Sequence, residues 1–127
     1  YLFSRLSASH SVEVVPGVSS LGACAAAVGA PLVSRNQVLT VLPGPLEEEE
    51  LEFRIRSSPA VAIMKVGRHL DKICRVLDRL GLIENAQYVE RATMSEQRVL
   101  KLCDVPRYGA PYFSMILVRH GETEAGV

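Results

Sequence analysis

The chain has 127 residues, with 14 lysine and arginine residues against 14 aspartate and glutamate residues. A hydrophobic content of 48% and a charged content of 22% are ordinary for a globular domain that builds a single core. The even charge balance offers no basic surface for a nucleic acid or a membrane, and no apolar run reaches the ~18 residues of a membrane-spanning helix.

The amino-terminal segment predicts a helix followed by a strand. Residues 1–6 are typical of the end of a helix, and they lack an initiator methionine and the pattern of a signal peptide. The valine-rich run Val12–Val15 predicts a buried strand. Pro16 and Gly17 predict a tight turn directly after that strand.

A second helix is predicted immediately after this turn. Ser19 and Ser20 stand at the N-cap, and the alanine-rich segment Ser20–Val28 favours a helix that residues 29–31 end. A helix N-terminus at the carboxyl end of a strand presents free backbone N–H groups. In open α/β sheets, small ligands bind at such places.

Strands and helices alternate in the rest of the chain. The predicted strands are Val38–Leu42, Ala60–Met64, Gln87–Glu90, Arg98–Leu102 and Tyr112–Arg119. Helices are predicted over Glu47–Arg56, where carboxylates in the first turn complement the helix dipole, and over Arg68–Leu80, which Gly81 ends. This alternation predicts an α/β sheet, with mixed pairing near the end where strands follow one another without a helix.

Three cysteines, Cys24, Cys74 and Cys103, are odd in number, lack a C-x-x-C pair and each have apolar neighbours. They predict buried free thiols in a reducing cytoplasm rather than a zinc site or a disulfide scaffold. The acidic run at residues 47–50 could attract a cation, but it is better explained as the solvated start of a helix. We therefore expect no metal site.

Four separate blocks of sequence carry a resemblance to a known family. They are Val12–Ser20, Met64–His69, Tyr88–Met94 and Ala110–Arg119. In this order and at this spacing they resemble the tetrapyrrole methylases, which use S-adenosylmethionine, and within that family the branch that methylates carbon 20 of precorrin-2 in cobalamin synthesis. The resemblance covers roughly residues 1–119, but it matches only the carboxyl-terminal part of the family's sequence.

The resemblance implies a fold and a division into domains. Residues 33–120 would form the mixed-sheet, carboxyl-terminal α/β domain of a two-domain methylase. Residues 1–32 would contribute the last strand, turn and helix of an amino-terminal domain, and residues 121–127 would form a tail.

The resemblance also implies that five residues contact the methyl donor: Ser19, Ser20, Met64, Ala92 and Pro111. Each has a purely structural explanation as well, as a helix cap, a core methionine, a small residue in a tight turn or a proline at a strand entry. The family's Gly-rich loop and Gly-Asp-Pro motif do not occur in this sequence, so the five residues form about half of a donor site. We therefore expect the chain alone to bind S-adenosylmethionine weakly or not at all, and not to turn over.

The implied substrate is a polycarboxylate macrocycle, precorrin-2 or cobalt-precorrin-2. Arg35, Arg68 and Arg91 lie near predicted strand ends and could bind its carboxylates, although surface solvation is the simpler explanation of each. His69 is a weaker candidate for the base that removes a proton from the methylated carbon. The nucleophile belongs to the substrate, so we assign no catalytic residue. The family's homodimers imply a homodimer here.

The carboxyl terminus resembles a second family. Leu117–Thr123 matches the Arg-His-Gly motif of the histidine phosphatases, in which His120 would carry the phosphate. In that family the motif opens the domain and a second histidine follows much later, whereas only four residues follow Thr123 here. A chance match is therefore favoured. A third possibility is a non-catalytic dimerisation domain, since an uncovered apolar face encourages association.

Overall fold

The computed structural model describes residues 1–121 and places a five-stranded sheet at their centre. The strands are β1 Leu39–Pro43, β2 Ala60–Met64, β3 Ala86–Glu90, β4 Arg98–Lys101 and β5 Ser114–Arg119. The α-helices of these residues are α1 Leu2–Leu6, α2 Ser20–Val28, α3 Glu48–Arg56 and α4 Leu70–Arg79. Within the same residues, no helix has the length and apolar character needed to cross a membrane.

The strand order is β1-β2-β5-β3-β4, and the pairing is mixed, as the sequence predicts. Strands β1 and β2 are parallel, whereas β5 runs antiparallel to both β2 and β3, and β4 runs antiparallel to β3. The carboxyl ends of β2 and β3 therefore meet at the same edge of the sheet as the amino end of β5. At this edge, Met64 lies opposite Met115 and Glu90 lies opposite Ser114.

Helices α3 and α4 cover one face of the sheet and form the larger core with it. Helix α4 presents one apolar stripe at helical spacing to the sheet, and its buried residues are Leu70, Ile73, Cys74, Val76 and Leu77. Helix α3 buries Leu51 and Ile55, which lie one turn apart. Gly81 has φ 68°, and the N–H of Leu82 donates to the Leu77 carbonyl at 2.8 Å, which ends α4 as predicted.

Helix α2 covers part of the opposite face. Its one buried residue, Cys24, packs with Ala62, Val89 and Met115 in a smaller apolar cluster. The Ser19 hydroxyl accepts a hydrogen bond from the Gly22 N–H at 3.3 Å, so the predicted N-cap and the predicted helix over Ser20–Val28 are both confirmed. Alanine and glycine predominate in α2, which lets the helix backbone lie close to the sheet.

Two glutamates of α3, Glu48 and Glu52, pair with arginines on α4. Arg75 Nε lies 3.1 Å from Glu48 Oε1, and Arg79 Nη2 lies 3.1 Å from Glu52 Oε2. The predicted helix is confirmed with a start one residue later, since α3 begins at Glu48 and Glu47 is its N-cap. These side chains are partly exposed, so each pair stabilises the fold by about 0–1 kcal/mol at most and mainly aligns the two helices.

The predicted strand over Val12–Val15 is wrong. Residues 11–19 form neither strand nor helix, and no tight turn is found at Pro16 and Gly17. Val14 and Val15 are 70% and 80% exposed. A valine-rich run has the side chains of a strand, but a strand also needs a hydrogen-bonding neighbour, and none of the five strands of the described region pairs with this segment.

The other predicted elements are found with small shifts of their ends. Strand β1 begins and ends one residue later than predicted, and β5 begins two residues later, because Tyr112 and Phe113 precede the ladder. Strand β4 is the edge hairpin partner of β3 that the sequence predicts. The predicted helix over Arg68–Leu80 begins with a 3-10 turn at Gly67–His69.

One of the three cysteine predictions is also wrong. All three thiols are free, and Cys24 and Cys74 are buried, but Cys103 is exposed. Cys103 lies in a 3-10 turn after β4, where its neighbour Leu102 occupies the core instead. Apolar neighbours in sequence do not fix which residue of a short turn faces inward.

Replacing Leu77 by alanine should lower the free energy of unfolding by about 2–5 kcal/mol, because it leaves a cavity beneath α4. Val99→Ala on the edge strand β4 is the matched control, since Val99 is partly exposed, and it should change stability by no more than about 0.5 kcal/mol. Urea unfolding measures both. Equal losses in the two variants would contradict the assignment of the core.

Stability should also fall at alkaline pH because of Cys74. Burial raises the pKa of its thiol from 9.0 to about 11. Below pH 9 the thiol is protonated in both states. Between pH 9 and pH 11 the unfolded chain releases this proton and the native chain keeps it, so the free energy of unfolding decreases. Between pH 8 and pH 11, the free energy of unfolding should fall less steeply with pH in Cys74→Ala than in the parent chain. An equally steep fall in both proteins would contradict this role of Cys74.

Candidate functional site

The candidate site is a cleft of about 550 Å³ at the edge of the sheet where β2 and β3 end and β5 begins. Four segments separated in sequence line it. They are the start of α2 with the residue two before it, the last residue of β2 with the residue after it, the four residues after β3, and the start of β5 with the two residues before it. The lining residues are Val18, Ser20, Ala23, Cys24, Met64, Lys65, Arg91, Ala92, Thr93, Met94, Tyr112, Phe113, Ser114 and Met115.

The walls of the cleft are mainly apolar. Met64 and Met115 are paired neighbours on β2 and β5, and Ala23 from α2 leaves room beside them. Tyr112 and Phe113 form an edge-to-face pair with ring centroids 5.3 Å apart. These rings are 70% and 64% exposed, so their surfaces are free to pack against a flat ligand.

The charges at the cleft are positive. Among the described residues that line it, the charged side chains are Lys65 and Arg91. The carboxylate of Glu90 is buried and does not line the cleft, with 4.0 Å between Glu90 Oε1 and Arg91 Nη1. The cleft therefore favours a ligand that is flat and apolar at one end and anionic at the other.

Strained backbone surrounds the cleft. Lys65, Arg91 and Thr93 have φ values of 55°, 50° and 70°, and they are three of the four non-glycine residues with positive φ in the described part of the chain. Two hydrogen bonds fix the loop after β3: the Arg91 N–H donates to the Phe113 carbonyl, and the Thr93 N–H donates to Gln97 Oε1, both at 2.7 Å. Left-handed backbone at ordinary residues tends to cluster at functional sites.

A buried polar network supports this loop. The Tyr88 hydroxyl donates to Glu90 Oε2 at 2.6 Å, and Arg98 Nη1 donates to Glu90 Oε1 at 3.4 Å. Burial raises the pKa of Tyr88, and the carboxylate of Glu90 raises it further, so the phenol stays protonated as a donor. Sequence reasoning missed Glu90, although an acid two residues after a buried tyrosine in a strand must face the same side.

The structure brings three of the five predicted donor-contact residues together. Ser20, Met64 and Ala92 all line the cleft. Ser19 does not line it, and its hydroxyl caps α2. Pro111 does not line it either, and its carbonyl accepts a hydrogen bond from Ser114 Oγ at 2.6 Å, which shapes the entry to β5.

Of the three arginines predicted to bind substrate, Arg91 lines the cleft, whereas Arg35 and Arg68 are exposed and lie outside it. His69 lies outside it as well. Desolvation lowers the pKa of His69, and the nearby charges of Lys72 and Arg68 lower it further. Sequence reasoning did not identify Lys65 as a residue of the cleft. Its position directly after Met64, a predicted site residue, could have indicated it.

The phosphatase motif gains no support from the structure. The backbone N–H of His120 donates to the Pro59 carbonyl at 3.0 Å, which continues the pairing of β5 past Arg119. Its ring atom Nε2 is buried, without a hydrogen-bond partner among the described residues, whereas a phosphate acceptor must be reached by its donor. Thr123 and the rest of the motif lie outside the described residues.

A second cavity, of about 520 Å³, lies at the opposite edge of the sheet, beside Val28, Asn85 and Arg119. It contains none of the predicted site residues. Within residues 1–121 there is also no group of three or more His, Cys, Asp or Glu side chains that could hold a metal ion. The cleft at the carboxyl ends of β2 and β3 is therefore the candidate site.

Comparison with known proteins gives the family. The family model for tetrapyrrole (corrin/porphyrin) methylases matches residues 1–103, which is most of the chain. The chain belongs to the tetrapyrrole methylase family. The predicted family is thus confirmed, and three of the four sequence blocks lie within the matched residues.

Two curated members of the tetrapyrrole methylase family illustrate the match. The precorrin-2 C(20)-methyltransferase of a Sinorhizobium species is 43% identical over 118 residues, which are 93% of this chain and 48% of that protein. The cobalt-precorrin-2 C(20)-methyltransferase of Salmonella typhimurium is 33% identical over 120 residues, which are 93% of this chain and 51% of that protein. The chain spans about half the length of each of these two relatives.

The fold is also that of solved tetrapyrrole methylases. The uroporphyrin-III C-methyl transferase of Thermus thermophilus, solved in complex with S-adenyl homocysteine, superposes with a TM-score of 0.57 and 28% identity. The superposition covers 84% of this chain and 52% of that structure. The predicted α/β fold with a mixed sheet is therefore confirmed.

Replacing Glu90 by alanine should lower the free energy of unfolding by about 1–3 kcal/mol, because it removes the acceptor of the buried Tyr88 hydroxyl. Glu90→Gln should lose less, since its amide oxygen can still accept that bond. Urea unfolding measures both, with Glu13→Ala in an exposed segment as the control. A loss in Glu90→Ala no greater than in Glu13→Ala would contradict the network.

Proposed function

We propose that the chain forms the carboxyl-terminal half of an S-adenosylmethionine-dependent methyltransferase that methylates carbon 20 of precorrin-2 in cobalamin synthesis. The observation that carries this proposal is the convergence of Ser20, Met64 and Ala92 on one cleft. These residues come from three separate segments of the chain, and the resemblance assigns each of them to the methyl donor. The 43% identity to the Sinorhizobium relative supports the choice of branch.

The cleft suits a nucleoside-type ligand. Its volume of about 550 Å³ lies in the usual range of small-molecule sites. The adenine of the donor would pack against Met64 and beside the small residue Ala92, whose neighbouring backbone offers polar groups to the base edge. Ser20 stands in the first turn of α2, where N–H groups lack helical partners and can bind the donor's polar atoms.

The proposed reaction needs few catalytic side chains. The sulfonium of S-adenosylmethionine already activates the methyl group, so the enzyme mainly holds donor and nucleophile in line. The nucleophile is the meso carbon of the reduced tetrapyrrole, which loses a proton after methylation. We therefore assign no catalytic residue to this chain.

Substrate binding is assigned to the cationic rim of the cleft. Arg91 and Lys65 present their charges where the carboxylates of a tetrapyrrole could pair with them. The assignment of Arg35 and Arg68 to substrate binding stays a prediction, because neither residue lines the cleft. The curated relatives differ in whether their substrate carries cobalt, so both precorrin-2 and cobalt-precorrin-2 are candidate substrates.

We propose that the rest of the donor site lies in the half of the family's sequence that this chain does not match. Residues 1–32 would then belong to an amino-terminal domain, residues 33–120 to the carboxyl-terminal domain, and residues 121–127 to a tail. Leu2 and Phe3 of α1 are 68% and 52% exposed, which supports a covering surface in the assembled protein. We propose that the assembled protein is a homodimer in the cytoplasm. Sedimentation of the assembled protein would measure its oligomeric state.

The test uses a chimera in which this chain replaces the matching half of the Sinorhizobium relative. The chimera should bind S-adenosylhomocysteine in calorimetry and methylate precorrin-2, whereas the isolated chain should bind weakly and show no turnover. Ala92→Leu should weaken binding by the chimera roughly tenfold to a hundredfold, because the larger side chain occupies the adenine position. Ala8→Leu, in an exposed turn, is the matched control and should bind like the parent.

Two outcomes would contradict the proposal. A folded chimera that binds no S-adenosylhomocysteine would remove the donor site from this cleft. A chimera that binds it and methylates a different tetrapyrrole, but neither form of precorrin-2, would keep the site and overturn the substrate.

A further inference from the structure

Gly44, in the loop that leaves β1, supports one wall of the cleft from behind. Strands β1 and β2 are parallel, with Pro43 opposite Met64. The Gly44 N–H donates to the Met64 carbonyl at 2.7 Å, one residue beyond this pairing. Gly44 is buried and lies outside the cleft lining, so it contacts the backbone of the wall and not its ligand-facing side.

A side chain does not fit at position 44. A Cβ atom built there would lie 2.6 Å from the Lys65 carbonyl oxygen and 3.3 Å from the Met64 carbonyl oxygen. Both obstacles are backbone atoms, so no rotation of a side chain relieves the clash. Glycine is required for this close approach and not for a left-handed φ, which Gly44 does not have.

The contact falls on a strained residue. Lys65 has φ 55°, a conformation that an ordinary residue keeps only where its surroundings hold it. This bend takes the chain out of β2 and leaves Met64 and Lys65 side by side in the wall. Contact with Gly44 restricts the peptide of Lys65 from the side opposite to the cleft.

We propose that Gly44 is a positioning residue, which sets the location of Met64 and Lys65 in the cleft wall without touching the ligand. The contact itself is independent of what the cleft binds. Its effect on the methyl donor rests on the proposed function.

The first experiment measures ligand affinity in the chimera. Gly44→Ala should weaken the binding of S-adenosylhomocysteine roughly tenfold to a hundredfold, as small displacements of a binding wall do. Leu77→Ala is the control: it destabilises the core on the other face of the sheet and should leave the affinity unchanged. Parental affinity in Gly44→Ala, measured well below its melting temperature, would overturn the proposal.

A second pair of variants covers the case in which Gly44→Ala fails to fold. Glycine at position 65 lets the peptide yield to a Cβ at lower cost. We therefore compare Gly44→Ala combined with Lys65→Gly against Lys65→Gly alone. The combined variant should fold and still bind S-adenosylhomocysteine several-fold more weakly than Lys65→Gly alone. Equal affinities would overturn the positioning role.

The third measurement separates this proposal from the proposed function. In the 127-residue chain without ligand, the NMR signals of the Met64 methyl group and the Lys65 amide should shift in Gly44→Ala and stay in place in Leu77→Ala. Unmoved signals would overturn the Gly44 contact. If the parent chimera binds no S-adenosylhomocysteine while these signals do shift, the donor site fails and the contact stands.

Discussion

The insertion of β5 between β2 and β3 is the constraint on which the rest of the structure depends. Because β5 is antiparallel to both neighbours, its amino end meets the carboxyl ends of β2 and β3. Three chain segments that are far apart in sequence therefore meet at a single edge. Met115 pairs with Met64 on one side and with Val89 on the other, and Ser114 pairs with Glu90. This pairing sets where the loops after β2 and β3 begin. The cleft is a consequence of this strand order.

Around the cleft, backbone contacts fix what the side chains present. The left-handed residues Lys65 and Arg91 each follow a strand directly, and each is held by a neighbouring segment: Gly44 behind the first and Phe113 beside the second. Such residues cost free energy that the sheet and its two apolar clusters must offset. The shape of the cleft thus depends on residues such as Gly44 that do not line it.

Local pattern was enough to predict most helices and strands, since periodicity and turn residues act within one element. Helix Ser20–Val28 and strand Ala60–Met64 were predicted to the residue. The strand at Val12–Val15 could not be judged locally, because its formation depends on a partner strand. The same limit applies to the site: Met64 and Ala92 came from a family resemblance, whereas Gly44 acts through Lys65, which is distant in sequence. Contacts between residues that are far apart in sequence are set by the fold.

The central position of β5 also bears on how the chain folds during synthesis. Its residues leave the ribosome after those of the other four strands, yet they join the two pairs β1-β2 and β3-β4. Until β5 pairs with them, the facing edges of β2 and β3 have no hydrogen-bonding partner. Completion of the sheet depends on contacts between residues that are distant in sequence. Such contacts form slowly, so the strand edges stay exposed to other chains for longer.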